Sequence, residues 1–186
     1  MPEDAFVVSV VPGAWATEDR SPIARLVAAA FGKLNALAKQ LLWISKDETG
    51  AIAEALASLS DARIIAYCES LDRIFVASDL VLTKGNRGTI QEVARLGIPS
   101  ISLSSGKNPV DDILIASIGS NKSLNVSALD SDTLVWHMEK WHREKHRFCG
   151  GDFTLHETNA LTARTLAAEL TRLVPSLGEN SRGSDC

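Results

Sequence analysis

The residues best suited to chemistry sit in one short run, Lys84-Gly85-Asn86-Arg87-Gly88-Thr89, which leads straight into a helical pattern. Gly85 and Gly88 let the backbone turn sharply and let a ligand approach with no Cβ in the way. A helix that opens after such a loop presents N–H groups with no partner inside the helix, at the positive end of its dipole. A diphosphate fits that cradle, and Lys84 or Arg87 can add a cation. Two glycines in an α/β loop do not by themselves name the ligand. Thr89-x-x-Glu92 also has the form of a capping box, in which the glutamate returns to the Thr89 backbone N–H.

A second constellation is His142, His146, Cys149 and His156. His142 and His146 lie four apart on a predicted helix and so share a face, and Cys149 follows after two residues. That spacing can bind zinc. The intervening Arg143-Glu144-Lys145-His146-Arg147 is strongly charged and reads as a solvated face, so no metal is expected. Trp136 and Trp141 beside it read as packing residues, or as part of a partner surface. Asp79, just before an apolar run, reads as a turn or helix-end hydrogen bonder rather than a catalyst. Asp111 and Asp112 follow Asn108-Pro109, as first-turn acids favoured by a helix dipole.

These residues must be positioned by alternating short β-branched runs and helical patterns, the signature of βαβ units around a buried parallel sheet. Strands are predicted at Ala5–Val11, Gln40–Ser45, Arg63–Ala66, Leu80–Thr83 and Ser100–Leu103, with a weak sixth near Leu124–Val126. Ser21-Pro22 reads as the N-cap and first residue of a helix running to about Lys39. Further helices are predicted at Thr49–Leu59, Ser70–Ala77 and Thr89–Leu96, the last closed by Gly97 and Pro99. Others open at Asn108-Pro109 and cover Asp132–Lys145 and about Thr158–Leu173. The fold class is therefore α/β: a single Rossmann-like, doubly wound parallel sheet of about six strands. One domain over residues 1–176 is expected, with a small polar tail at 177–186.

Open parallel sheets bind ligands at the carboxyl ends of their strands, and there the residues resemble a family. Ala77-Ser78-Asp79-Leu80-Val81-Leu82-Thr83-Lys84-Gly85-Asn86-Arg87-Gly88-Thr89-Ile90-Gln91-Glu92, then Ala94 and Leu96-Gly97-Ile98-Pro99-Ser100, resembles the C-terminal domain of GT-B glycosyltransferases. The nearest type is that of the peptidoglycan N-acetylglucosaminyltransferases, glycosyltransferase family 28. Ile64-Ile65-Ala66-Tyr67-Cys68-Glu69-Ser70-Leu71 resembles the segment preceding it. The resemblance implies a UDP-sugar ligand, with Glu92 on the ribose hydroxyls and Gly88 and Thr89 at the phosphates. It implies that the backbone at Tyr67 and Cys68 receives the uracil ring, and that Asp111 and Asp112 lie near the donor sugar. Ribose contact and helix capping by Glu92 are compatible roles. The family's usual first-loop Gly-Gly-Ser turn is replaced by Ser9-Val10-Val11-Pro12-Gly13-Ala14-Trp15, which keeps only Gly13, while Pro12 removes an N–H donor. Asn86 and Arg87 replace small residues, so Arg87 either grips phosphate or narrows the cleft.

The bulk numbers bound the partners. The chain has 186 residues, 45% hydrophobic and 23% charged, enough for one well-formed core. Lys and Arg number 19 against 23 Asp and Glu, for a net charge of -4. That balance gives no electrostatic footprint for nucleic acid. Three cysteines at irregular spacing form no disulfide framework. The start lacks signal-peptide character, and no apolar run approaches the ~20 residues of a membrane span, so a cytoplasmic location is expected. The resemblance implies the donor-binding half of a metal-independent glycosyltransferase without a cofactor, completed by an acceptor-binding domain or subunit through which peripheral membrane contact would arise. The chain then reads as a split subunit, a shortened chain or a domain that has lost catalysis. A non-catalytic nucleotide-sugar-binding or assembly protein is the alternative, favoured by the altered first loop. No residue reads as a general base.

Overall fold

The computed structural model describes residues 5–13, 17–36, 38–45, 50–66, 70–104, 118 and 121–148, with backbone alone at 17–19 and 145–148. Six strands form one sheet: β1 (Phe6–Val11), β2 (Lys39–Ile44), β3 (Ala62–Ile65), β4 (Leu80–Thr83), β5 (Ser100–Ser104) and β6 (Asn121–Asn125). The helices are α1 (Thr17–Lys33), α2 (Gly50–Leu56), α3 (Leu71–Val76), α4 (Arg87–Arg95) and α5 (Ser131–Phe148). Every strand pairing is parallel, in the order β3-β2-β1-β4-β5-β6. This is the expected doubly wound sheet, with the strand order reversing between β1 and β4.

Central strands covered on both faces read as unbroken apolar runs. All six residues of β1 and all four of β4 are buried. Alternate side chains then serve opposite layers. Phe6, Val8 and Val10 join the main core with α1, α2 and α5, whereas Val11 and Val81 pack with Phe75 of α3 and Val93 of α4. The first layer is also tied at its surface. Lys33 Nζ, at the end of α1, donates to Ser131 Oγ at 2.9 Å and to Asp132 Oδ1 at 2.8 Å at the start of α5.

Several boundaries depart from the sequence expectation for local reasons. Helix α1 begins at Thr17, so Ser21-Pro22 lies a turn inside it rather than capping it. Pro22 there forgoes one i→i−4 backbone bond in the second turn, and Ser21 Oγ accepts from Arg25 Nη1 at 2.7 Å. Helix α2 stops at Leu56, three residues early. Strand β6 starts at Asn121, ahead of the expected Leu124, because its polar side chains satisfy one another across the sheet. Asn121 Oδ1 accepts from the hydroxyls of Ser100 and Ser102, each at 2.9 Å.

The end of α4 follows its sequence signals. Gly97 has φ +71°, its N–H donates to Ala94 O at 3.0 Å, and the Ile98 N–H donates to Val93 O at 3.1 Å. This is the paired bonding of a Schellman motif, with Val93 and Ile98 supplying its apolar contact. The helices expected from Asn108-Pro109 and at Thr158–Leu173, and the tail from Leu177, lie outside the described residues. No helix among the described residues is long and apolar enough to cross a membrane.

Candidate functional site

The reversal of strand order sets where a ligand can sit, because the loops leaving β1 and β4 diverge there and open a crevice. Val11 pairs in register with Thr83. The loops Pro12-Gly13 and Lys84-Gly85-Asn86 therefore leave the sheet side by side. Gly13 has φ +57° and Gly85 φ +91°, so both loops turn through backbone conformations that a Cβ would strain. Gly88 does not share this role. It lies in the first turn of α4 with no positive φ, and a Cβ there would meet Asn86 Oδ1 at an ordinary 3.5 Å.

Helix α4 starts at Arg87, two residues before the expected Thr89, and this changes the chemistry of its N-terminus. Asn86 is the N-cap, and its Oδ1 accepts from the Gly88 N–H at 3.0 Å. The capping box expected between Thr89 and Glu92 is therefore not formed. The strongest cap residue in the loop stands three places earlier, and Thr89 and Glu92 both lie within the helix. One N–H of the expected phosphate cradle is held by Asn86. Arg87 is exposed, while Lys84, Gly85 and Thr89 are half-buried. Thr83, at the end of β4, is 1% exposed, and its hydroxyl has no hydrogen-bond partner among the described residues.

Glu92 is exposed on the outer face of α4, where its carboxylate makes no hydrogen bond or ion pair among the described residues. It stands on the wall of an open groove of about 580 Å³ between α3 and α4. Leu71, Phe75 and Leu96 supply the groove's apolar lining, and Ser70, Asp72 and Arg95 its polar groups. Asp72 accepts a hydrogen bond from Ser70 Oγ, which holds its carboxyl below the usual range. The groove begins directly after the segment expected to receive a base, although Tyr67 and Cys68 lie outside the described residues, as do Asp111 and Asp112. Of the other groove residues, Ser70, Leu71 and Leu96 stand in the resembling segments without an implied role, and Asp72, Phe75 and Arg95 carry no motif.

Other polar residues prove structural. The Asp79 carboxylate accepts the Val7 N–H at 2.8 Å while the Asp79 N–H donates to Val7 O at 2.9 Å, so Asp79 locks the entry of β4 onto β1. Ser78 shares a 2.6 Å hydrogen bond with buried Ser9 and donates to Ile74 O at 2.6 Å. The His142 ring packs against Phe6, with centroids 4.6 Å apart. The side chain of His146, and Cys149 and His156, fall outside the described residues. No group of three His, Cys, Asp or Glu able to hold a metal ion occurs among the described residues. Trp141 is buried in the core, whereas Trp136 is 54% exposed.

No protein-family profile matches the chain. Over 85 residues, 42% of this chain and 22% of the relative, it is 29% identical to a Paenarthrobacter aurescens (strain TC1) protein. That protein is a UDP-N-acetylglucosamine--N-acetylmuramyl-(pentapeptide) pyrophosphoryl-undecaprenol N-acetylglucosamine transferase. Among solved structures, Acinetobacter baumannii MurG superposes with a TM-score of 0.62 at 13% identity, over 90% of this chain and 51% of that one. The UDP-GlcNAc 2-epimerase of Neisseria meningitidis, solved with UDP-GlcNAc, gives 0.60 at 13% identity, over 89% and 45%. The chain thus spans about half the length of these solved relatives. The resemblance drawn from its residues is borne out, and the fold is that of a GT-B glycosyltransferase domain.

Proposed function

We propose that this chain, whose fold is the C-terminal half of a GT-B glycosyltransferase, binds the UDP moiety of a sugar donor. Transfer of a hexosyl or N-acetylhexosaminyl group would follow once an acceptor-binding domain or subunit completes the cleft. The observation that carries this reading is Glu92. Because Asn86 supplies the α4 cap, the Glu92 carboxylate is not engaged in a capping box. It stands on the groove wall one turn beyond Thr89, where two ribose hydroxyls can donate to it. The Paenarthrobacter relative acts on UDP-N-acetylglucosamine, which supports a uridine donor.

In this reading the diphosphate lies at the start of α4, between the loops that follow β1 and β4. Loop and first-turn N–H groups, with Arg87 or Lys84, stabilise the negative charge that grows on the departing diphosphate. Fixed donors of that kind act most strongly where water is excluded, so the acceptor-binding half also serves to close the cleft. Gly13 lines the opposite side, and Tyr67, Cys68, Asp111 and Asp112 keep the base and sugar roles that the resemblance implies. Calorimetric titration with UDP, UDP-N-acetylglucosamine, ADP and GDP tests the reading. Saturable, uridine-selective binding supports it, and absence of binding to every nucleotide overturns it.

A second reading, a nucleotide-sugar-binding or assembly protein without catalysis, draws on two features. The first loop offers Pro12-Gly13 where the family has a glycine-rich turn, and Asn86 occupies a first-turn N–H of α4. Transfer activity regained on adding an acceptor-binding half separates the two readings.

A further inference from the structure

We infer that Arg95 reads the nucleobase and sets the preference of the site for uridine. This rests on the donor-site reading, and it concerns a residue that reading does not use. A nucleoside diphosphate is laid out as phosphate, ribose and base in that order, and α4 offers a matching series. Residues rise about 1.5 Å apiece along a helix, so Glu92 lies about 4.5 Å beyond Thr89 and Arg95 a similar distance further. Arg95 and Leu96 follow Glu92 at i+3 and i+4, as neighbours on the same part of the surface. With the diphosphate at the start of α4 and the ribose at Glu92, the base continues toward Arg95 and Leu96. Leu71 and Phe75 stand across the groove from them on α3.

The lining fits a base. Leu71 and Leu96 present apolar surface to its ring over a floor closed by buried Phe75, while Arg95 stands on the same wall. Arg95 is exposed and makes no ion pair or hydrogen bond among the described residues, so its donors are available. A guanidinium donates only. Aimed at position 4 of the ring, it favours uracil, whose O4 accepts, over cytosine, whose amino group there donates; O2 is common to both bases. Arg95 also stands in the last turn of α4, where the helix dipole favours a cation. That role affects stability and does not distinguish one base from another.

The test titrates UDP and CDP into the whole chain and its Arg95→Ala, Arg95→Gln and Glu92→Ala variants, with thermal melts alongside. The expected result is an Arg95→Ala loss of about fivefold or more in UDP affinity with a narrowed UDP-to-CDP preference. Arg95→Gln should recover part of both. If Glu92→Ala weakens UDP binding while Arg95→Ala changes neither affinity nor preference, the role of Arg95 is overturned and the donor site stands. If the unaltered chain binds neither nucleotide, the donor-site reading itself fails and takes this inference with it.

Discussion

Asn86 Oδ1 accepts the Gly88 N–H at 3.0 Å, so the helix start that should receive a phosphate is capped by its own loop. A phosphate and this side chain compete for one donor. Replacing Asn86 with alanine should cost about 1 kcal/mol of stability, the usual value of a lost cap, whereas glycine should cost only a few tenths. UDP affinity should hold or rise in both variants. Denaturant midpoints and calorimetry on the same preparations check this. A collapse of UDP binding in Asn86→Gly with the fold intact would instead place the Asn86 amide on the ligand.

Glu92 gives the complementary result. Because it caps nothing, Glu92→Ala should leave the melting temperature nearly unchanged, whereas a true capping box would forfeit about 0.5–2 kcal/mol. UDP binding should weaken about tenfold or more, roughly 1.4 kcal/mol. A melt that falls while binding persists would return Glu92 to a purely local role.

Asp79 is expected to do the reverse. It fastens the Val7 backbone to the start of β4 through two hydrogen bonds, at 2.8 and 2.9 Å. Asp79→Ala removes the carboxylate and leaves a part-buried N–H unsatisfied, at a cost of about 1–3 kcal/mol. The nucleotide dissociation constant of the remaining folded protein should not move. Measuring both on one sample separates anchoring from binding.

Metal removal offers a fourth check. With the diphosphate held by N–H groups and a cation, prior treatment with chelator should leave UDP affinity unchanged, and added magnesium or manganese should not raise it. A binding curve that appears only with a divalent ion would transfer the phosphate role from Arg87 and the α4 start to that ion.

The sheet was legible because β1 and β4 are dense β-branched and leucine runs buried on both faces, while β5 alternates serine with Ile101 and Leu103. β6 was legible only as a trace. Asn121-Lys122-Ser123-Leu124-Asn125 lacks apolar periodicity and joins the sheet through parallel pairing with β5 and the shared Asn121 amide. At the site, the Gly85 turn could be read from residue type, since only a positive φ demands glycine there. The cap was misplaced because Asn86 and Thr89 are both competent cap residues three positions apart. Sequence spacing does not decide which of them leaves the helix first. The groove was invisible for a different reason: Phe75 and Leu96 come from helices whose facing sides are set by tertiary packing alone.

The tie between α1 and α5 also bears on how the chain is made. Phe6, on the first strand, packs against His142, and its layer of the core is completed by Leu134, Met138 and Trp141. Chains leave the ribosome at roughly 5–20 residues per second, so β1 emerges on the order of ten seconds before the last of its covering. During that interval a Val- and Phe-rich strand at the centre of the future sheet depends on α1 and α2 alone for cover in its layer. Speed of synthesis, and any chaperone that shields such a strand, thereby become determinants of yield.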